Sequence, residues 1–169
     1  MLAARHGGRL RKSKEHSLTD EVRVGPVSLA LAFPQTYMND SGRAVSALVR
    51  RYGITDPAHV VVVHDELDLP LGRIQVKEGG GLAGHNGLKS IREHLHSADF
   101  LRVRIGIGKP PGRREGADHV LRRPSRAERD ELDVSVQEAA DAVELIATTG
   151  VAAAMNRYNQ RPPAPEDEA

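Results

Sequence analysis

The chain contains no cysteine and no tryptophan, and only two phenylalanines and three tyrosines among its 169 residues. Without thiols it can form neither disulfides nor thiolate metal sites. So few rings argue against recognition of single-stranded nucleic acid by stacked bases. No apolar run approaches the roughly 20 residues needed to cross a bilayer, and no signal-peptide pattern is visible. The expectation is a cytoplasmic protein with no membrane partner. A net excess of charge is missing as well: 24 Lys and Arg stand against 23 Asp and Glu, so overall charge names no partner. There are no repeats, no low-complexity stretches and no internal boundary. Residues 1–160 read as one domain able to bury its own core, and residues 161–169 as a disordered acidic tail.

The charge is unevenly spread. Residues 1–14 hold Arg5, Arg9, Arg11, Lys12 and Lys14 without an acid, and residues 101–126 hold eight basic residues against Glu115 and Asp118. That asymmetry fits a polyanion on one face, or simply a solvated arginine-rich surface.

The organising stretch is residues 60–89. Four valines at 60–63 read as a central strand buried on both faces. The strand ends in Asp65, Glu66 and Asp68, before Pro70 and Gly72. A second strand at 73–77 alternates, with Ile74 and Val76 inward and Arg73, Gln75 and Lys77 outward. Gly79, Gly80 and Gly81 follow, and His85-Asn86-Gly87 opens a helix with Leu88, Ile91 and Leu95 on its buried face. Carboxylates at a strand end beside a glycine loop and a helix N-terminus make a site in open α/β sheets. The glycines lack the Gly-Lys-Ser/Thr ending of a phosphate-binding loop, so nucleoside triphosphate binding is not expected.

Elsewhere, residues 2–6 followed by two glycines read as the end of a helix. Residues 22–24 and 27–31 read as two strands, or one hairpin about Gly25-Pro26. Asp40 or Ser41 is placed to cap a helix carrying Val45, Leu48, Val49 and Tyr52. Asn39 therefore falls in a strand-to-helix turn, either as a turn former or as a residue reaching a ligand. Residues 101–107 alternate, presenting Arg102 and Arg104 opposite Leu101, Val103 and Ile105. In one sheet, Lys77 and Arg104 share a polar edge able to grip a phosphate; otherwise they are two exposed strand residues. Residues 106–114 form a basic loop that 118–121 extend. Ser125 and Glu128 form a capping box for a helix with Leu132, Val136, Ala139, Ala140, Val143 and Ile146 on one stripe, stopped by Gly150, with a shorter helix at 152–158. The fold class expected is α/β, a single domain with a mixed β-sheet flanked by helices.

The segments TYMNDSG (36–42), HDELDLPLG (64–72), GGGLAGHNGLKS (79–90) and RVRIGIGKPPG (102–112), in this order, closely resemble bacterial peptidyl-tRNA hydrolases. The resemblance runs from Leu2 to about Gln160. It implies hydrolysis of the ester joining a peptide to tRNA, recycling tRNA from prematurely dropped chains, without a cofactor, by a monomer. It also implies that Asp65 orients a histidine base, and that Asn39 and Asn86 bind substrate near the scissile bond. Tyr37 then contacts the terminal nucleotide or peptide, and Lys77 and Arg104 hold the tRNA 5′-phosphate. In the family the base lies in a TRHN stretch after a first strand and a GLGNPG turn, and this sequence has neither. His6 lies too far along to replace that base, and His85 occupies a family position of its own. Two expectations follow: an ordinary hydrolase whose start at Met1 is misassigned or recombinant, or a truncated, non-catalytic homologue that lacks the first strand and binds tRNA or peptide. A third reading, a metal-dependent hydrolase using Asp65, Glu66 and Asp68, has no supporting ligands elsewhere, so no metal site is assigned.

Overall fold

A computed structural model of the chain describes residues 1–82, 84–108 and 125–160. The basic loop from residue 109 onward and the acidic tail 161–169 lie outside the described residues.

The polar–apolar alternation of the first half folds into an antiparallel sheet, β1 (Arg11–Lys12), β2 (Ser17–Val24) and β3 (Val27–Pro34), in the order β1-β2-β3. Its hairpin pairs Val24 with Val27, so Gly25 sits in the turn at φ 58°, a conformation that suits glycine. The second sheet contains β4 (Val61–Glu66), β5 (Ile74–Glu78) and β6 (Leu101–Gly106) in the order β4-β6-β5. There β4 runs parallel to β6 and β5 antiparallel to it. The helices are α1 (Leu2–Arg5), α2 (Ser41–Arg51), α3 (Asn86–Leu95), α4 (Arg126–Thr148) and α5 (Val151–Tyr158). The architecture is thus α/β with mixed pairing, its strands divided between two three-stranded ladders.

Each face of the second sheet has its own core. Ile74, Val76 and Val103 pack on Ala139, Ala142, Val143 and Ala154 of α4 and α5. On the opposite side Leu82, Leu88, Ile91 and Phe100 pack with Val45, Val60, Val62 and Leu95, which seats α2 and α3 there. Both layers satisfy the demand that a sheet and the apolar stripe of a helix cover one another.

The structure departs from the sequence expectations at three points. The strand formed by the valine run, β4, is not central, because among the described strands it has only β6 beside it. Val63 is accordingly 47% exposed, and the middle position belongs to β6. On α4, Ala139, Ala140 and Val143 of the expected stripe are buried, but Val136 is 39% exposed, and Ser135 and Ala142 are buried alongside them instead. At the start of α2 neither Asp40 nor Ser41 caps with its side chain, and Ser41 Oγ donates back to the Met38 carbonyl at 2.8 Å.

The open side of β5 is closed by one side chain. Asn159, just past α5, accepts from the Val76 N–H at 2.8 Å and donates to the Val76 carbonyl at 2.7 Å. The amide thereby supplies both halves of a missing ladder rung at a sheet edge. It also steadies the residue next to Lys77.

Candidate active site

Asp65 lies one residue before the end of β4, its side chain 38% exposed. The ring of His85 approaches it. His85 is the N-cap of α3, and its Nδ1 accepts the Leu88 N–H at 3.2 Å. An accepting Nδ1 leaves the proton of a neutral imidazole on Nε2, and Nε2 stands 3.7 Å from Asp65 Oδ1. That neighbour holds the Asp65 carboxyl below the ordinary carboxylate range, against partial burial that pushes it up. Asp65 is therefore ionised at neutral pH.

His64 stands on the opposite face of the strand and is buried. Its Nδ1 bonds to the Asp65 backbone carbonyl at 2.8 Å, and its ring meets that of His85 edge to face, centroids 5.0 Å apart. Burial pushes its pKa down to about 4, so the ring is neutral; Nε2 is enclosed and has no partner among the described residues. Neither imidazole offers a solvent-facing lone pair beside Asp65, since His85 spends Nδ1 on the α3 cap and His64 buries Nε2. His85 stands beside the carboxylate instead, while His64 holds the Asp65 backbone. His6 lies elsewhere, with Nε2 2.6 Å from Glu144 of α4.

The two asparagines are brought to adjoining elements by close backbone approach. Asn39 lies in the short 3-10 turn Met38–Asp40, next to Tyr37, which is 84% exposed. That turn packs on the start of α3: Met38 Sδ lies 2.7 Å from the point where a Cβ on Gly87 would stand. One turn further on, the Gly42 N–H donates to Ser90 Oγ at 2.9 Å, and a Cβ at Gly42 would run into the Ser90 backbone. Only glycine permits both contacts. Asn86, the first residue of α3, is exposed beside Gly87, as Asn39 is beside Met38. Each amide offers donors and an acceptor whose charge does not vary with pH, and Asn86 directly follows His85, the residue that approaches Asp65.

The other acids do not join Asp65. Glu66 points to the His64 face and pairs with Arg104 Nη2 at 2.8 Å, while its Oε1 accepts the Asp68 N–H at 3.1 Å. Burial raises its pKa, but the Arg104 and Asp68 bonds outweigh that and hold it low. Among the described residues no three His, Asp or Glu side chains converge as metal ligands.

Lys77 and Arg104 share a face of the sheet but are diagonal neighbours: Lys77 is paired with Arg102, and Arg104 with Gln75. Arg104 donates to Gln75 Oε1 and to Glu66. The sequence alternation places Arg102 on an outward polar side; the structure roofs that side, leaving Arg102 only 1% exposed, with Nη2 donating to the Gly79 carbonyl at 2.7 Å. Arg102, Glu66 as partner of Arg104, and His85 beside Asp65 are what sequence reasoning missed at the site. The alternation in residues 101–107 was the available signal, but it cannot report what covers a polar face. Of the N-terminal basic residues, Arg5 is engaged by Asp141 at 2.7 Å and by Gln137. Among the described residues no helix is long and apolar enough to cross a membrane.

Known proteins resemble this chain over most of its length. A model of the peptidyl-tRNA hydrolase family matches residues 1–166. The chain is 48% identical to the peptidyl-tRNA hydrolase of Frankia alni over 159 residues, 94% of this chain and 80% of that one. It is 57% identical to the peptidyl-tRNA hydrolase of Cutibacterium acnes over 136 residues, 80% of this chain and 68% of the other. The crystal structure of peptidyl-tRNA hydrolase from Acinetobacter baumannii matches the fold with a TM-score of 0.86 at 36% identity, covering 96% of this chain and 83% of that one. These relatives are named as hydrolases rather than as binding proteins, which lends no support to the binding-only alternative. With sequence and fold agreeing over nearly all of its residues, the chain belongs to the peptidyl-tRNA hydrolase family, hydrolases that act on the ester bond of peptidyl-tRNA.

Proposed function

We propose that peptidyl-tRNA lies across the end of β4, with its ester near Asp65, Asn39 and Asn86, its terminal nucleotide or peptide against Tyr37, and its terminal phosphate toward Lys77 and Arg104. Asp65 is the carboxylate that orients and charges a histidine base, not the base itself. The asparagine amides hold the reacting carbonyl and peptide backbone. The protein acts as a cytoplasmic monomer without a cofactor. The observation that carries this reading is the Asp65 carboxylate, held ionised near the end of β4 beside His85, the residue that caps the helix Asn86 opens.

Peptidyl-tRNA hydrolysis and tRNA affinity, measured side by side, test it. In a form of the chain that also carries the family's N-terminal histidine segment, Asp65→Asn is expected to lower turnover by about 100-fold or more while leaving tRNA affinity within about 2-fold, because one neutral amide removes no phosphate contact. Lys77→Ala is expected to weaken binding more than turnover. It is a cleaner probe than Arg104→Ala, which also strands the buried Glu66 carboxylate. Hydrolysis is expected to survive exhaustive chelation. The reverse split between turnover and binding, or a form carrying that histidine segment that binds tRNA and leaves the ester intact, would overturn the assignment.

A further inference from the structure

The polar face of the second sheet carries Lys77 on β5, Arg102 and Arg104 on β6, and one carboxylate, Glu66 on β4. Glu66 is committed to Arg104. Arg102, the largest fully buried side chain among the described residues, has no carboxylate partner among them: its one bond is to the Gly79 carbonyl, and its Nε is enclosed without an acceptor. A buried guanidinium without a counter-charge is costly, and replacing such a group by an apolar side chain is often neutral or stabilising. Stability alone therefore does not account for it.

The geometry around Gly80 supplies one. Gly80 has φ 88°, and the point where its Cβ would stand lies 2.8 Å from Lys77 Cε, 3.2 Å from Lys77 Nζ and 3.5 Å from Arg102 Nη2. The turn that Arg102 holds by Gly79 is therefore the turn folded round the Lys77 ammonium, and the two cations converge on the space left by an absent side chain. Resting on the phosphate role given above to Lys77, we propose that Arg102 is the positioning residue of that phosphate site. It ties the Gly79–Gly80 turn so that Lys77 Nζ is aimed outward, and lends a buried positive charge, bonded to no carboxylate, that a terminal phosphate of bound RNA balances. The local field agrees: burial and the charges of Arg102 and Arg104 together push the Lys77 pKa down, repulsion that an incoming phosphate relieves.

The test compares two RNA hairpins copying an acceptor stem, one with a 5′-phosphate and one with a 5′-hydroxyl, against the 169-residue chain and its Arg102→Met variant. The wild type is expected to prefer the phosphorylated hairpin by about 10-fold or more, the yield of one charge-assisted contact. Arg102→Met is expected to bring that preference within about 2-fold, to lower the salt slope of binding by about 1, and to melt no earlier than wild type. A variant that keeps the wild-type ratio, or loses stability and both RNAs in equal measure, overturns the role given to Arg102. A wild type indifferent to the 5′-phosphate sinks the Lys77 phosphate site itself. If Arg102→Met does not fold, Arg102→Lys carries the test, because it keeps the charge but not the guanidinium reach to Gly79. Its preference is expected to drop by about 3-fold or more, and an unchanged ratio overturns the proposal.

Discussion

Asn159 offers a sharp test of how the site-bearing sheet is held. Its side chain makes two bonds to a single residue 83 positions away, accepting from the Val76 N–H and donating to the Val76 carbonyl. Val76 itself is 1% exposed, so water cannot easily replace the lost partner. Asn159→Ala removes both bonds and leaves a buried backbone donor and acceptor unpaired. At roughly 1 kcal/mol for each net bond, and more if the orphaned groups stay dry, the loss is about 2–3 kcal/mol. For a chain of this length that lowers the melting temperature by about 4–12 °C. Urea unfolding followed by circular dichroism should show a lower midpoint with an unchanged slope, since the folded surface is the same. Asn159→Asp separates the two bonds: the acceptor survives, but a carboxylate oxygen faces the Val76 carbonyl, so this variant should be at least as unstable as the alanine. A melting temperature within about 1 °C of wild type for Asn159→Ala would refute the reasoning, meaning that solvent closes this edge without help.

Two further outcomes follow from the same structure. His64 is neutral in the folded state, with burial pushing its pKa down from 6.5 to about 4. Its contribution is therefore fully present above pH 6.5 and is lost as pH falls toward 4, a total of about 3 kcal/mol. An imidazole resonance of His64 still unprotonated at pH 5 would support this, and midpoint protonation near 6.5 would contradict it. Gly42→Ala places a Cβ against the Ser90 backbone and should cost about 1–3 kcal/mol. Because it pushes α2 from α3, it should also weaken substrate binding at Asn39; a fully stable, fully active Gly42→Ala protein would show that the helices part without consequence.

Much of the local structure was legible in the residues. The β2–β3 hairpin follows from two alternating runs about Gly25-Pro26, and α3 from His85-Asn86-Gly87 ahead of Leu88, Ile91 and Leu95. The start of α4 follows from Ser125, whose Oγ accepts the Glu128 N–H at 3.2 Å. These are short-range matters of turn chemistry, capping and period, settled within a few residues. The four matching segments likewise named the family before any coordinate was known.

What the sequence by itself determined is therefore which segments are helix or strand, which side chains share a face, and to which family the chain belongs. Only the tertiary structure decided what each face meets. A run of four valines reads the same whether its strand has one neighbour or two. The alternation of Arg102 and Arg104 reads the same whether that side is wet or roofed. The ties of Asn159 to Val76, Glu66 to Arg104 and His85 to Asp65 join residues far apart in the chain. The physical reason is that periodicity reports the orientation of a side chain relative to its own backbone. Burial, counter-charge and pKa depend on packing between segments, and no local pattern encodes that.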